Sequence, residues 1–227
     1  MTIEKETADG KPFYDVVIAT PGSVIHRKYI KSLMETVAWL NDQKLTWTWL
    51  NQTSSFVADA RERTALNRET NDWSVNEIGC GDFDYGKIVW IDSDVEWTVK
   101  DFDALISHDL DIVSGMVPAS TDGRITATNF DENGHPGMIN ALDYLMDAEP
   151  LRVDAVGFGF LAVRKGVFEK MPRPWFKILE TRIAGAGFPV NLGEDYSWCE
   201  GATSVGFQVW LDPLVKVDHW KEFSIHI

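Results

Sequence analysis

The chain has 227 residues, of which 44% are hydrophobic and ten are tryptophans, so it is long enough to bury a core of its own. Its net charge of −14 argues against a nucleic-acid polymer as partner, because binding of that kind needs clustered lysine and arginine. The same charge still allows a single nucleotide, provided that a metal ion neutralises part of a diphosphate.

The sequence carries few signals of export or membrane insertion. Two cysteines, Cys80 and Cys199, are too few for a disulfide framework or a zinc cluster. Residues 1–15 are polar and lack the apolar centre of a signal peptide. The longest apolar run, residues 155–163, falls far short of the roughly 20 residues of a membrane helix. We therefore expect no membrane segment and a cytoplasmic location.

Strands and helices alternate in the first half of the chain. Residues 14–20, 45–49, 87–91 and 111–117 are short apolar or alternating runs, which predicts four strands. Helical spacing predicts helices after Ser23, over residues 55–68 with Phe56 facing inward, and from the capping-box spacing of Thr98 and Asp101. The inward face of the first helix is predicted to carry Ile30, Leu33, Met34, Val37 and Leu40. This β-α-β-α-β-α-β order predicts a parallel sheet covered by helices.

The second half is less regular. We predict a loop over residues 118–137, two apolar stretches over 153–164 that join at a Gly-Phe-Gly sequence, and a short helix over 165–171. A mobile surface loop is expected over 172–193, followed by a helix over 195–205 and two strands, 207–211 and 214–217. Because no repeat or clear linker interrupts the chain, we expect one domain over residues 1–227.

Asp92-Ser93-Asp94 follows the buried strand 87–91 directly. Ligands of an open parallel sheet bind beyond the carboxyl ends of its strands. The side-chain period of two lets both carboxylates point the same way, and two like charges that close cost free energy unless a cation lies beside them. The sequence therefore favours a Mg²⁺ or Mn²⁺ site, whereas a plain turn of Asp and Ser is the alternative.

Three further segments add candidate groups. Glu194 and Asp195 precede a predicted helix, where acidic residues are also favoured as caps and by the helix dipole. His219 ends the last strand and is either a structural residue or a third metal ligand. Gly157 and Gly159 either let backbone approach a ligand closely or form a tight turn between two strands.

The ordered set of such segments resembles a known family. The matching residues are Val17-Ile18-Ala19-Thr20-Pro21, Ala60-Arg61, Ile91-Asp92-Ser93-Asp94, Ile112-Val113-Ser114-Gly115, Gly157-Phe158-Gly159-Phe160-Leu161, Glu194-Asp195-Tyr196-Ser197-Trp198-Cys199, Gly206-Phe207-Gln208-Val209-Trp210-Leu211-Asp212-Pro213 and Val217-Asp218-His219. In this order the chain resembles nucleotide-sugar-dependent glycosyltransferases of the GT-A fold, and most of all small family-2-type enzymes of phage and bacterial genomes.

The resemblance implies an α/β fold with a Rossmann-like nucleotide-binding half, about residues 12–117, and an acceptor-side half with a smaller β region, about 118–227. It implies that Asp94 binds Mn²⁺ or Mg²⁺ directly, that Asp92 faces the ribose or reaches the metal through water, and that His219 completes the metal shell. Further contacts to the nucleotide-sugar donor are implied for Thr20, Pro21, Arg61, Ser93, Gly157, Gly159 and Lys221.

Its implied reaction is transfer of a sugar from a nucleotide-diphosphate sugar to a hydroxyl of a glycan or another acceptor. UDP is favoured as the nucleotide, and GDP is the alternative. If configuration is inverted, a base must take the acceptor proton, and Asp195 is the candidate with Glu194 as its neighbour or substitute. If configuration is retained, the pair is free to bind sugar hydroxyls instead.

Two other function classes compete with this interpretation. A metal-dependent phosphohydrolase would also place acidic residues at strand ends, but the sequence offers no Ser/His or Cys/His nucleophile arrangement. A non-catalytic nucleotide- or carbohydrate-binding module would keep the fold, although it would need no base at Asp195. A substitution at Asp195 that spares binding but ends turnover would separate the enzyme from the module.

Overall fold

The computed structural model of the protein describes residues 5–69, 74–144, 149–181 and 190–221. Its α-helices are α1 (Arg27–Asp42), α2 (Val57–Leu66), α3 (Val99–Ser107), α4 (Val167–Lys170) and α5 (Glu194–Ser204). The strands are β1 (Phe13–Ala19), β2 (Trp47–Leu50), β3 (Asp84–Ile91), β4 (Val95–Glu96), β5 (Ile112–Met116), β6 (Arg124–Phe130), β7 (Pro136–Asn140), β8 (Leu151–Val153), β9 (Ala155–Val156), β10 (Phe160–Arg164), β11 (Leu179–Thr181), β12 (Val190–Leu192), β13 (Val209–Lys216) and β14 (Asp218–His219). In the part of the chain that is described, none of the helices is both long and apolar enough to cross a bilayer.

A seven-stranded sheet in the order β2-β1-β3-β10-β5-β13-β8 forms the centre of the molecule. Strands β1, β2 and β3 pair in parallel, as do β5 and β13. Strand β10 is antiparallel to both β3 and β5, so the two parallel groups point the same way. We call the side of the sheet at which β1, β2, β3, β5 and β13 end the carboxyl edge.

Helices cover both faces of this sheet because its central strands are apolar on both sides. Alternate residues of β1 and β3, such as Ile18 and Val89, pack in one buried cluster with residues of α1 and α3. The intervening residues, such as Val17 and Trp90, pack on the other face in a cluster that includes residues of α2, α4 and α5. Each fully buried side chain of this size contributes about 1.5–3 kcal/mol by leaving water. The predicted α/β fold is confirmed.

The helix termini agree with the sequence in one case and differ in another. The capping box of Thr98 and Asp101 is present at the start of α3, as predicted. Helix α1 begins at Arg27 rather than after Ser23, because the His26 side chain accepts the hydrogen bond that caps it. Its inward face is also rotated from the prediction, since Ile30 and Met34 are 39% and 68% exposed.

Other predicted elements need correction in the second half. The predicted loop 118–137 contains β6 and the first two residues of β7, and these strands form a three-stranded sheet with β9. The two predicted last strands are one strand, β13, with an irregularity after Asp212. The expected mobile loop 172–193 includes the buried Trp175 and Phe176 and the β11–β12 pair, while its residues 182–189 lie outside the described residues. In the first half, Phe56 is 57% exposed rather than buried.

Candidate functional site

An open cleft of about 520 Å³ lies at the carboxyl edge of the sheet. Its walls come from the segments that follow β1, β2 and β3 and from the last described residues of the chain. Pro21, Arg61, Asp92, Asp94 and Lys221 all line it. The sheet topology therefore gathers candidate residues that are up to 200 positions apart (Pro21 to Lys221) in the sequence.

The two aspartates after β3 contact different side chains. The backbone N–H of Asp92 donates to the Gly159 carbonyl at 3.2 Å, which fixes the end of the strand beside β10. Asp92 Oδ1 lies 3.3 Å from Nη2 of Arg61. Asp94 Oδ2 lies 3.2 Å from Nε2 of His219. The pair thus forms two separate contacts within one cleft, and the repulsion between the two charges is offset by a cationic partner for each.

His219 reaches Asp94 because the last strand pairs with the short strand after the aspartates. Strand β14 runs antiparallel to β4, with His219 opposite Val95. The His219 Nδ1 atom lies 2.9 Å from the Pro118 carbonyl, to which it donates, so that Nε2 faces Asp94. Lys221 Nζ then lies 2.7 Å from His219 Nε2 and 3.6 Å from Asp94 Oδ2.

Charge pairing shifts the proton affinities of this group. Burial alone would raise the pKa of Asp94, but the His219 hydrogen bond and the charges of His219 and Lys221 together lower it. The Asp94 hydrogen bond raises the pKa of His219, against the opposing effect of partial burial. Asp94 is therefore held as a carboxylate, which is the form that ligates a metal or a cation.

Asp94 and His219 suit a divalent cation chemically. They offer one carboxylate oxygen and one imidazole nitrogen, both common ligands of Mn²⁺, and the Pro118 contact fixes the ring in the orientation that directs Nε2 toward Asp94. Asp92 is directed to Arg61 instead. Within the described ranges, no three His, Cys, Asp or Glu side chains converge on one point. Water or donor oxygens would have to complete the shell.

Arg61 contacts one member of each acidic pair, Asp92 after β3 and Glu194 at the start of α5. Its residue is 5% exposed, and its Nη2 and Nη1 atoms lie 3.3 Å from Asp92 and 3.4 Å from Glu194. The guanidinium carbon lies 4.9 Å from the centre of the Phe158 ring, a cation–π contact that holds it in place. Among the described residues, Nε and Nη1 have no hydrogen-bond acceptor of good geometry, so the group retains capacity for an anion.

Asp195 lies next to Glu194 in the first turn of α5. Its Oδ1 atom accepts the backbone N–H of Tyr196 at 2.8 Å. Burial raises the pKa of Asp195, and the charges of Glu194 and Asp92 act in the same direction, against that of Arg61. A carboxylate in this setting is a stronger base than an ordinary aspartate.

The segment after β1 presents Pro21 to the cleft, whereas the Thr20 hydroxyl is turned into the interior. Thr20 is fully buried, and its hydroxyl contacts the Tyr29 hydroxyl and accepts from Trp49 Nε1 at 3.1 Å. Pro21 lines the cleft. Asn51 was missed from the sequence: its side-chain amide donates to the carbonyls of Thr20 and Gly22, at 2.6 and 2.9 Å. An amide side chain two residues beyond the predicted strand 45–49 was the available signal.

Both glycines of the Gly-Phe-Gly sequence are buried and packed against their own chain. A Cβ atom on Gly157 would lie 2.9 Å from Thr126 Cβ, and one on Gly159 would lie 2.9 Å from Val117 Cγ1. These distances are too short for ordinary carbon contacts, so packing alone requires glycine at both positions. Phe158, between the two glycines, makes the cation–π contact with Arg61.

Comparisons with known proteins yield matches in structure only: no family model matches the chain, and no curated protein matches its sequence. The solved structure of A197 from STIV superposes with a TM-score of 0.50 at 16% identity, covering 93% of this chain and 96% of that one. GalNAc-T7, solved with UDP, GalNAc and Mn²⁺, superposes with a TM-score of 0.53 at 10% identity. That match covers 90% of this chain and 42% of GalNAc-T7. At these identities the likeness shows the fold alone, and the chain has the GT-A fold found in glycosyltransferases.

Proposed function

We propose that the protein is a metal-dependent glycosyltransferase that moves a sugar from a nucleotide-diphosphate sugar, with UDP favoured over GDP, to a hydroxyl of a glycan or another acceptor. One observation carries the proposal. At the carboxyl edge Asp94 contacts His219 and lies 3.6 Å from Lys221, while Arg61 links the adjoining Asp92 to Glu194 of the second acid pair. A GT-A fold with these groups at its ligand-binding edge suits transfer from a charged donor.

The donor half of the site is assigned to residues 12–117 together with the last strand. Asp94 and His219 would hold Mn²⁺ or Mg²⁺, which when bound stabilises negative charge on the departing diphosphate. Lys221, at 3.6 Å from Asp94, adds a positive charge for the same leaving group. Pro21 and the backbone held by Asn51 form the wall against which the nucleoside lies.

The acceptor half is assigned to residues 118–227, with Asp195 as its base. The acceptor hydroxyl loses its proton as the new glycosidic bond forms, and a carboxylate of raised pKa takes that proton more readily. Glu194 neutralises Arg61 at 3.4 Å and so keeps the guanidinium from lowering the proton affinity of Asp195 further. This role of Asp195 belongs to an inverting transfer, which anomeric analysis of the product by NMR tests directly.

A thermal-shift panel tests the donor site. Wild type and Asp94→Asn are mixed with UDP, GDP, CMP and their sugars, with and without Mn²⁺. We expect one nucleotide to raise the Tm of the wild type only with Mn²⁺, because ligand that binds the native state alone stabilises it by mass action. Asp94→Asn should lose the shift. Asp109→Asn, a change at an exposed residue before β5 on the opposite edge, should keep it.

The outcomes separate the competing function classes. No nucleotide shift under any metal would contradict the donor assignment of Asp92 and Asp94. Release of inorganic phosphate without an acceptor would favour a phosphohydrolase instead. Nucleotide binding that persists in Asp195→Asn together with loss of sugar transfer supports the enzyme, whereas binding without turnover in the wild type across donor and acceptor panels supports a binding module.

A further inference from the structure

Helix α2 carries a second buried charge next to Arg61, with a different set of contacts. Glu62 is 2% exposed, and its carboxylate accepts three N–H groups. These are Nε of Arg173 at 2.7 Å, the backbone N–H of Trp175 at 3.1 Å and the backbone N–H of Phe176 at 3.2 Å. A buried carboxylate with three donors is well satisfied and fixes the backbone that donates to it.

The chain that Glu62 holds leads to the acid pair. After Phe176 the chain enters β11, whose residue Leu179 pairs with Leu192 of β12. Two residues beyond Leu192 lies Glu194, which contacts Arg61. Two consecutive residues of α2 therefore contact the two ends of the segment that runs from residue 173 to residue 194. Glu62 contacts its start at residues 173–176, and Arg61 contacts its end at Glu194.

Aromatic packing joins the same two ends through the interior. The Phe176 ring lies 5.0 Å from the Phe158 ring, centre to centre. Phe158 in turn lies 5.0 Å from the Trp198 ring of α5 and 4.9 Å from the Arg61 guanidinium carbon. Because interiors are close-packed, a shift of Phe176 must be accommodated by Phe158 and passed on to Arg61 and α5.

We infer that Glu62 and Arg173 form a positioning pair, which holds Arg61 and the start of α5 in the arrangement that the acid pair requires. Neither residue lines the cleft, so the pair acts through Phe176, Phe158 and Arg61 rather than by contact with a ligand. Its consequence for turnover rests on the proposed function, whereas its consequence for the geometry of α5 does not.

Hydrogen–deuterium exchange measures the structural part without any ligand. In Glu62→Gln, faster exchange is expected at the amides of Trp175 and Phe176 and also at those of Tyr196 and Ser197, which bond to Asp195 Oδ1 and to the Gly193 carbonyl. Arg173→Lys should give the same pattern and replaces Glu62→Gln if that variant does not fold.

A matched control is Glu169→Gln in α4. Glu169 accepts the Tyr85 hydroxyl and the Gly166 N–H, both at 2.8 Å, and has no described contact with the acid pair. Its substitution should speed exchange near residues 166–170 only. Faster exchange at residues 175–176 with unchanged exchange at 196–197 in Glu62→Gln would overturn the inference.

Kinetics tests the consequence for turnover. Affinity for the nucleotide found in the panel, measured with Mn²⁺ by calorimetry, should fall less than kcat in Glu62→Gln, because Asp94 and His219 keep their contact while Arg61 shifts. Its kcat for transfer from the donor found in the nucleotide panel should fall about tenfold, since small displacements of catalytic groups are costly. Unchanged kcat in a variant with faster exchange at 196–197 also overturns the inference. A wild type that binds no nucleotide contradicts the proposed function instead, and the exchange pattern still decides the positioning.

Discussion

Ionisation of Asp195 destabilises the native state, because burial and the neighbouring carboxylates raise the pKa of its carboxyl group. A carboxyl group of raised pKa binds its proton more tightly when folded, so its contribution to stability is complete below about pH 4 and is lost as pH rises through the raised pKa. Asp195→Asn should therefore raise the Tm at about pH 8, and the gain should shrink toward about pH 4. Thermal denaturation across that range is the measurement.

Asp15 supplies a control of opposite sign. Burial tends to raise its pKa, but hydrogen bonds from Lys5 and from the Thr46 backbone and hydroxyl lower it overall. A lowered pKa stabilises the fold above the unfolded value and loses that effect as pH falls. Asp15→Asn should lower the Tm at neutral pH, less so in acid. If both variants shift Tm in the same direction at neutral pH, burial does not dominate at Asp195.

Gly159 tests whether the Gly-Phe-Gly sequence is required by packing. An added Cβ meets Val117 Cγ1 at 2.9 Å, so Gly159→Ala should destabilise the protein by about 1–3 kcal/mol. Adding Val117→Ala removes that methyl group and should recover part of the loss, apart from the cost of the smaller side chain itself. Urea unfolding of the two single variants and the double variant measures the coupling. Strictly additive losses would contradict the packing explanation.

At the scale of elements, helix α3 depends on its first turn. The Thr98 hydroxyl accepts the Asp101 N–H at 3.2 Å, and Asp101 accepts the Thr98 N–H at 3.0 Å. Thr98→Ala should cost about 1 kcal/mol in the free energy of unfolding, because the first turn loses its acceptor. Thr98→Ser should be close to wild type. In α5, Thr203→Ala is the control, since among the described residues that exposed hydroxyl bonds to the nearby Glu200 carbonyl alone.

Local sequence signals predicted the elements whose stabilising contacts are local. The capping box of Thr98 and the run of buried residues in β3 are visible in a few consecutive letters. Strand β6 was missed because its Arg-Ile-Thr-Ala-Thr-Asn-Phe sequence mixes polar residues with the buried Ile125 and Ala127, and its partner strands are distant in sequence. The exposed Met34 shows the same limit, since tertiary packing sets which face of a helix is buried.

The sequence predicted two carboxylates at a strand end, and the resemblance implied His219 near Asp94, but neither predicted the partner of Asp92. The spacing of Asp92 and Asp94 predicted two carboxylates at a strand end, and the structure places both in the cleft. It could not predict that Arg61 would separate them by pairing with Asp92, because that contact spans 31 residues. The buried pair of Glu62 and Arg173, which spans 111 residues, has no local signature at all.

At the scale of the whole molecule, the net charge of −14 should weaken binding to polyanions. Long-range repulsion should keep DNA and heparin away even though Arg61 and Lys221 both line the cleft. We expect no retention on a heparin column at low salt and firm retention on an anion exchanger. Retention on heparin that falls with salt would reveal a basic surface and contradict this prediction.

The reversed direction of β10 has a consequence for how such a protein can change. Strand β5 ends at the carboxyl edge, and β10 begins there, with Phe160 opposite Ile91 of β3. The chain between Val117 and Gly159 therefore leaves the sheet beside β5 and returns beside β3 at the same edge, and it supplies both the small sheet of β6, β7 and β9 and the outermost strand β8. Exchanging or lengthening residues 118–140, which contain β6 and β7, would leave all seven strands of the central sheet in place while rebuilding the surface around Phe130, which packs against Tyr196 next to Asp195.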